Sequence, residues 1–346
     1  MARRNNNKMT RQSKIEPAVQ TLAFSMPAGS RFVDISQAAC LANRRFYRQG
    51  LNWAVSGIRF MQTIPQGAGT ATTISVYKLP NTWVLSNSWE KSMRVWSRMN
   101  LEALEESPSV RPRFLDFKIY MDSGHHSLGF GTNLMPIADE GVGNNIATPG
   151  EWVSSKASIP DSLSATGQAY DREFIGVGAS YPGAGASGLN AVSLIEGYAA
   201  SRGLPNISDP NTPDDAADIT GAVPENWMSA VFNEGTDQSE DVIDLMISEN
   251  NEAPYPFENG DNPLNPGVPF TDTMYPGGPN QLDGLQLVDR GFFNDSTTQN
   301  KIYLQGSNFP CGLVKIVSTS GAPITMLIDL VPGPHRGYLA QSMQDM

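Results

Sequence analysis

The sequence predicts an all-β protein, an antiparallel sandwich of the Greek-key or jelly-roll kind with long loop insertions and a few short helices. Three observations lead there. β-rich segments bounded by turn residues crowd both ends of the chain, stretches rich in Gly, Pro, Asn, Asp and Ser fill its middle, and helical periodicity is scarce. Strands at the two ends of one chain pair most simply when early and late strands are neighbours in a sheet. The 346 residues can bury a large core. A single elaborated domain over 19–346, preceded by a disordered basic arm over 1–18, accommodates the pattern.

The arm comes first. "MARRNNNKMTRQSK" carries Arg3, Arg4, Lys8, Arg11 and Lys14, no acid and almost nothing apolar to bury, so it does not fold alone. "VQTLAFSM" (19–26) is the first expected strand. "NWAVSGIRFMQ" (52–62) places Val55, Gly57, Arg59 and Met61 on one face and Ala54, Ser56, Ile58 and Phe60 on the other. With "TATTISVYKL" after "PQGAG" it predicts a hairpin. "NSWEKSMRVWSRMNLEALEE" (87–106) is the best helix, with Trp89, Met93, Trp96 and Leu104 near helical spacing, Asn87 or Ser88 as cap and Pro108 as stop. A core-facing stripe is the ordinary reading of those residues.

"RPRFLDFKIYM" (111–121) alternates Phe117, Ile119 and Met121 against Asp116, Lys118 and Tyr120, as a strand does. "LNAVSLIEGYAASRG" and "SEDVIDLMISEN" are weaker helix patterns. The regions 124–188 and 204–280 read as long loops, which a sandwich carries at its solvent-facing rim. "LDGLQLVD", "KIYLQG", "GLVKIVS" and "PITMLIDLV" complete the strands, the last with Met326, Ile328 and Leu330 on one side.

Charge is sorted along the chain. The net charge is -11, yet residues 1–120 hold 17 basic and 7 acidic side chains, and residues 121–346 hold 7 basic and 28 acidic. Between Arg202 and Arg290 there is no Lys or Arg, while 17 carboxylates run from Asp209 to Asp289, so 203–289 is expected to form acidic loops. Such asymmetry points to a polyanion partner at one end and a solvated, self-repelling surface at the other. No window approaches the length of a membrane span, and no apolar stretch behind the basic start marks a secretory signal. Cys40 and Cys311 lack the spacing of a metal or redox motif and are expected as two small buried side chains.

Catalytic and metal readings are weak. His125 and His126 in "DSGHH" would point to opposite faces if they extended the preceding strand, and so would not share a metal. "GVGASYPGAGASG" (176–188) lacks the lysine of a phosphate loop; for a nucleophile elbow, Gly178 and Ser180 are followed by Pro182 where the final glycine is needed, and Ser187 also lacks the spacing, so a flexible surface loop is expected. No window of the acidic region has the spacing of an EF-hand loop. No cofactor and no enzymatic activity are expected.

With these features in place, the chain resembles capsid proteins of small circular, Rep-encoding single-stranded DNA viruses of the environmental type. The likeness lies in "GLNWAVSGIRFMQ", "ISVYKLPNTWVLSNSWEKSMRVWSRMN", "RFLDFKIYMDSGHH" and, more weakly, "VIDLMISENNEAPYP", together less than a third of the chain. The resemblance implies a viral jelly-roll subunit, made inside a host cell, that assembles with copies of itself into an icosahedral shell. The arm would lie inside on a single-stranded genome, DNA by the resemblance, and the host receptor is left unspecified. Arms in that family are often longer and richer in arginine than this one.

An arm of five charges repeated in a minimal shell of about 60 subunits supplies roughly 300 positive charges, several-fold fewer than the phosphates of a genome of a few thousand nucleotides. Arg44, Arg45 and Arg48 of "NRRFYR" are therefore added as nucleic-acid-binding candidates. Phe46 and Tyr47 between them suit base stacking, although a solvated turn before the next strand explains the cluster equally well. Two other classes compete. A nucleic-acid-binding β-domain that does not assemble would need a basic face. A carbohydrate-binding sandwich or glycosidase would use Trp53, Trp83, Trp152 and Trp227 against sugars and leave the arm without a role.

Overall fold

A computed structural model of the chain describes residues 17–62, 72–106, 109, 115–139, 145–160, 169–180, 183–201, 227–230, 284–293 and 300–346. The arm residues Arg3, Arg4, Lys8, Arg11 and Lys14, the helix pattern at 239–250 and nearly all of the acidic region 203–289 lie outside them.

Four strands come first: β1 (Thr21–Met26), β2 (Gly29–Asp34), β3 (Leu51–Gln62) and β4 (Thr72–Lys78), with helix α1 (Ile35–Asn43) between β2 and β3. Next come α2 (Trp83–Glu106), α3 (Ser123–Leu128), β5 (Ile137–Asp139), β6 (Asn145–Ile146), β7 (Lys156–Pro160) and β8 (Ala169–Ile175). They are followed by β9 (Ala191–Ser193), α4 (Leu194–Ser201) and α5 (Trp227–Ala230). The chain then returns to long strands with β10 (Gln286–Phe293), β11 (Asn300–Gln305), β12 (Asn308–Phe309), β13 (Leu313–Ser318) and β14 (Ile324–Leu330). Short strands β15 (Pro332–Gly333), β16 (Gly337–Tyr338) and β17 (Ala340–Ser342) close it.

Eight of these strands pair as one long folded hairpin: β1 with β14, β2 with β13, β3 with β11 and β4 with β10, all antiparallel. Two further antiparallel pairings, β14 with β3 and β13 with β4, wrap that hairpin into sheets ordered β1-β14-β3-β11 and β10-β4-β13-β2. The first of these eight strands thus meets the eighth, Thr21 opposite Asp329, as the crowding of strands at both chain ends predicts.

Alternation sets which side faces inward. Leu22, Phe24 and Met26 of β1, Ile74 and Val76 of β4, Val314 and Ile316 of β13, and Met326, Ile328 and Leu330 of β14 are all buried in one cluster between the sheets. Trp53 is fully buried there, and its indole Nε1 donates to Ser36 Oγ at 2.9 Å.

The expected hairpin of residues 52–62 with the next strand does not form, since β3 and β4 belong to different sheets. Each strand buries one apolar face, and Ile58 and Phe60 meet Ile74 and Val76 across the core instead of along an edge. The face assignment in β3 also changes midway. A bulge at Ser56, where Asp329 lies opposite Gly57 and Leu330 opposite Val55, puts both Val55 and Ile58 inside.

A second core covers the other face of the β10-β4-β13-β2 sheet. Phe32 of β2 and Leu313 of β13 point outward into it, against Trp89 of α2, Phe117, Phe174 of β8, Ile195 of α4 and Trp227 of α5. Everything from residue 79 to residue 285 is thus one insertion between two sheet neighbours, β4 and β10. Phe174 packs near Phe117 and Trp227 at ring centroid distances of 5.1 and 5.2 Å, contacts worth about 0.5–1.5 kcal/mol each beyond area burial.

Helix α2 starts four residues earlier than the periodicity implies and is long, at 24 residues. Thr82 Oγ1 accepts from Leu85 N–H at 3.4 Å, whereas Ser88 is buried and donates to the Leu85 carbonyl. Its apolar stripe of Trp89, Met93 and Trp96 enters the second core, and Glu90–Arg94 and Arg98–Glu102 form ion pairs on exposed surface.

The expected strand at 111–121 is extended chain in its described part, with only Tyr120 in a β-bridge. Side-chain and backbone bonds alternate along it: Lys118 N–H donates to Ser155 Oγ at 2.9 Å and Ile119 N–H to Gln49 Oε1 at 2.6 Å, while Tyr120 N–H donates to the Phe174 carbonyl at 2.8 Å. Its alternation holds, with Phe117, Ile119 and Met121 in the second core. In its described part the expected loop over 124–188 is built into α3 and the four short strands β5, β6, β7 and β8. "GVGASYPGAGASG" is pinned in its described part: Val177 is fully buried, Ser193 N–H donates to Ser180 Oγ at 2.9 Å, and Ser187 donates to Glu173 at 2.9 Å.

Candidate nucleic-acid interface

Helix α1 ends at Arg44, which takes the left-handed conformation at φ 53° and turns the chain into the predicted basic cluster. Arg44, Arg45 and Arg48 are exposed, as nucleic-acid contacts require. Tyr47 between them is not: it is 1% exposed, packs against Trp53 and Tyr338, and its hydroxyl donates to the Arg336 carbonyl at 3.1 Å. Burial pushes its phenol above the usual value. Tyr47 therefore anchors the cluster to the core and offers no face to a base.

The structure adds Arg336, from the far end of the chain. This residue is exposed, sits at φ 50° in the β15–β16 turn, and donates through Nη1 to the Phe46 carbonyl. Arg45 Nη1 in turn donates to the Pro17 carbonyl at 3.4 Å. A triangle of hydrogen bonds holds this corner: Val19 N–H to Asn43 Oδ1 at 2.9 Å, Asn43 Nδ2 to Tyr338 Oη at 2.7 Å, and Tyr338 Oη to the Val19 carbonyl at 2.6 Å. The described chain thus enters the fold at Pro17 among Arg44, Arg45 and Arg336. Arg336 escaped sequence reasoning because "PGPHRGY" shows turn residues and a single charge, and it is the pairing of the C-terminal strands with β1 and β3 that brings it here.

Arg48 has a different neighbourhood. Its Nη1 donates to the Leu115 carbonyl, and it borders a pocket of about 370 Å³ lined by Trp89, Met93, Trp96, Asp116 and Phe117. Asp116 is paired with Lys118 at 3.1 Å, and its carboxyl is raised by burial.

The densest set of buried titratable groups lies between the sheet and the insertion. Asp34 caps α1 and accepts from Gln37 N–H at 3.2 Å, Gln49 Nε2 at 2.9 Å and Trp152 Nε1 at 3.0 Å; burial pushes its carboxyl up to about 6. His125 and His126 do not extend a strand but lie in α3, whose N-cap is Asp122, and both are fully buried. His125 Nδ1 accepts from Met121 N–H at 3.1 Å and Nε2 meets Asn133 Oδ1 at 2.8 Å; burial lowers its pKa to about 4, so the ring is neutral. His126 Nε2 meets Glu173 Oε2 at 2.9 Å. Burial would raise the Glu173 carboxyl, but hydrogen bonds from His126, Ser154 and Ser187 outweigh it and hold it below the usual value.

Most of these groups satisfy one another, as buried polar networks require, and His126 Nδ1 is the ring nitrogen in this set left without a partner among the described residues. Among the described residues no group of three or more His, Cys, Asp or Glu is arranged to hold a metal ion. Cys40 and Cys311 are free thiols, the first half-buried and accepting from Tyr47 N–H at 3.0 Å. Trp53 and Trp227 are buried at 0% and 1% exposure, and Trp152 is engaged with Asp34, so these three are not a sugar-stacking platform. No described helix is long and apolar enough to cross a membrane.

In comparisons with known proteins, the chain matches no family model, no curated protein and no solved structure.

Proposed function

We propose that the chain is a jelly-roll capsid subunit that assembles with copies of itself into a closed shell around a single-stranded genome, DNA by the resemblance. The wrapped pairing of eight strands supports the fold half of this reading, because joining first to last, second to seventh, third to sixth and fourth to fifth is the jelly-roll arrangement found in viral capsid and lectin domains. One observation carries the functional half. The chain enters the sandwich at Pro17 against Arg45, beside exposed Arg44 and Arg336, so the five charges of the arm continue from a basic corner of the folded body.

Phosphate neutralisation by such a set is sequence-independent, which is what packaging needs. The acidic remainder of the chain would then face away from the genome, since like charges within about 8 Å repel at physiological salt. Electron microscopy of the purified protein, with ultraviolet absorbance of the same fractions, tests the reading. Closed particles that carry nuclease-protected nucleic acid are expected. Monomer alone across salt and pH would sink it.

A further inference from the structure

We propose that the pocket between α2 and the start of β3 takes one unpaired nucleotide, its base against the aromatic wall and its phosphate on Arg48. This rests on the reading of the chain as a genome-contacting subunit and gives that contact a defined site.

The wall suits a base. Trp96 is the half-buried ring of the wall, and the buried rings of Trp89 and Phe117 back it, with Phe117 5.9 Å from Trp89 and 5.6 Å from Trp96. Flat aromatic surface accepts any base, because every base has a π-face. At about 370 Å³ the pocket is at the small end of ligand sites, which run from about 300 to 1,000 Å³, so it holds one nucleotide unit.

The polar groups suit the rest of the nucleotide. Arg48 is exposed, and its bond to the Leu115 carbonyl uses one of five N–H donors while fixing the guanidinium at the pocket, which fits a phosphate. Asp116 in the lining answers Lys118 and the Gln49 N–H through Oδ2, so its charge is compensated while Oδ1 is left as an acceptor for the amino group of cytosine or adenine. Trp89 is 4% exposed, and its indole Nε1 has no hydrogen-bond partner among the described residues, a donor that a bound ligand would satisfy. Arg48 follows Arg45 by three residues, so a strand held by the arm corner is led toward this pocket.

The test uses full-length protein, freed of nucleic acid by nuclease, in which Arg3, Arg4, Lys8, Arg11 and Lys14 are replaced by Gln so that the arm does not mask the pocket. Tryptophan fluorescence is titrated with short oligo(dC), oligo(dT) and decanoate. Saturable quenching by oligo(dC), weaker with oligo(dT), is expected. Trp96→Leu should weaken oligo(dC) binding about tenfold, the loss typical of one stacked base. Arg48→Gln should weaken it too and reduce the salt slope by roughly 0.7, one single-strand phosphate contact. Affinity unchanged in both variants overturns the proposal, as does quenching by decanoate alone. Should the parent form filled particles while the pocket variants bind as it does, this inference fails by itself. Should oligonucleotides bind at the pocket while no particles ever form, the shell reading fails by itself.

Discussion

The indole Nε1 of Trp152 donates to Oδ2 of Asp34 at 3.0 Å, joining the insertion to the cap of α1 across 118 residues of sequence. Gln49 Nε2 donates to the same oxygen at 2.9 Å, so one fully buried carboxylate organises the junction between the two cores. Burial dominates over these donors, and the carboxyl is pushed from its usual 3.8 up to about 6.

That shift predicts a pH dependence of stability. Between pH 3.8 and about 6 the folded chain keeps a proton at Asp34 that the unfolded chain has lost, so this residue's contribution falls as pH rises through that window. Two units correspond to roughly 3 kcal/mol. Asp34→Asn should remove the fall and lower stability at pH 4 by about 1–3 kcal/mol, because the amide offers one acceptor oxygen to three donors. Urea midpoints of both proteins from pH 4 to 7 check it: a constant difference between the two curves contradicts the assignment.

Glu173 predicts the opposite sign. Its carboxyl sits below the usual value, so its contribution is complete above about pH 4.5 and is lost as pH falls through the folded value. Glu173→Gln leaves fully buried His126 facing an amide and should cost about 1–3 kcal/mol at pH 7, with less effect in acid. Thermal unfolding at both pH values gives the comparison, and equal losses would refute the linkage.

Gly306→Ala should destabilise although the usual backbone effect of Gly→Ala is a gain of about 0.4–1 kcal/mol. An added Cβ would lie 2.1 Å from the Val55 carbonyl oxygen and 2.4 Å from the Ser56 carbonyl carbon, backbone of the bulge that does not step aside. Overpacking of this kind costs about 1–3 kcal/mol. Gly131, with nothing within 4 Å of its added Cβ, is the control and should show no loss. Denaturant midpoints of the two variants decide between local clash and a general glycine effect.

Much of the sandwich is legible in the sequence because alternation is a local signal. Met326, Ile328 and Leu330 read as one face of a strand and are buried as one, and the pairing of early with late strands follows from where strands cluster. What escapes is decided by contacts far away in sequence. The bulge at Ser56 reverses the faces of β3 with only Gly57 to mark it, and the segment around Ile119 looks like a strand while two of its N–H groups go to the Gln49 and Ser155 side chains and only Tyr120 bridges to a neighbouring strand. For the basic interface, the local run "NRRFYR" identifies Arg44, Arg45 and Arg48, but the burial of Tyr47 and the arrival of Arg336 depend on the closure of the last strands on the first.

The last prediction concerns the arm. Among the described residues the hydrogen bonds that close this corner run from Pro17 and Val19, β1 begins at Thr21, and the arm sequence offers almost nothing apolar to bury, so deleting residues 2 to 14 should leave the melting temperature nearly unchanged. Replacing Arg3, Arg4, Lys8, Arg11 and Lys14 by Gln removes charge at constant length and is the sharper variant. Its particles should form but hold less nucleic acid, and the salt slope of single-strand binding should fall by about 3.5, from five contacts at roughly 0.7 each. Adding Arg44→Gln and Arg45→Gln should lower the packaged amount again, because these exposed residues flank the point where the arm joins the body. The ratio of absorbance at nucleic-acid and protein wavelengths across purified particles measures it. If the five-fold Gln variant packages as much as the parent, the arm does not hold the genome, and the folded basic corner has to do so alone.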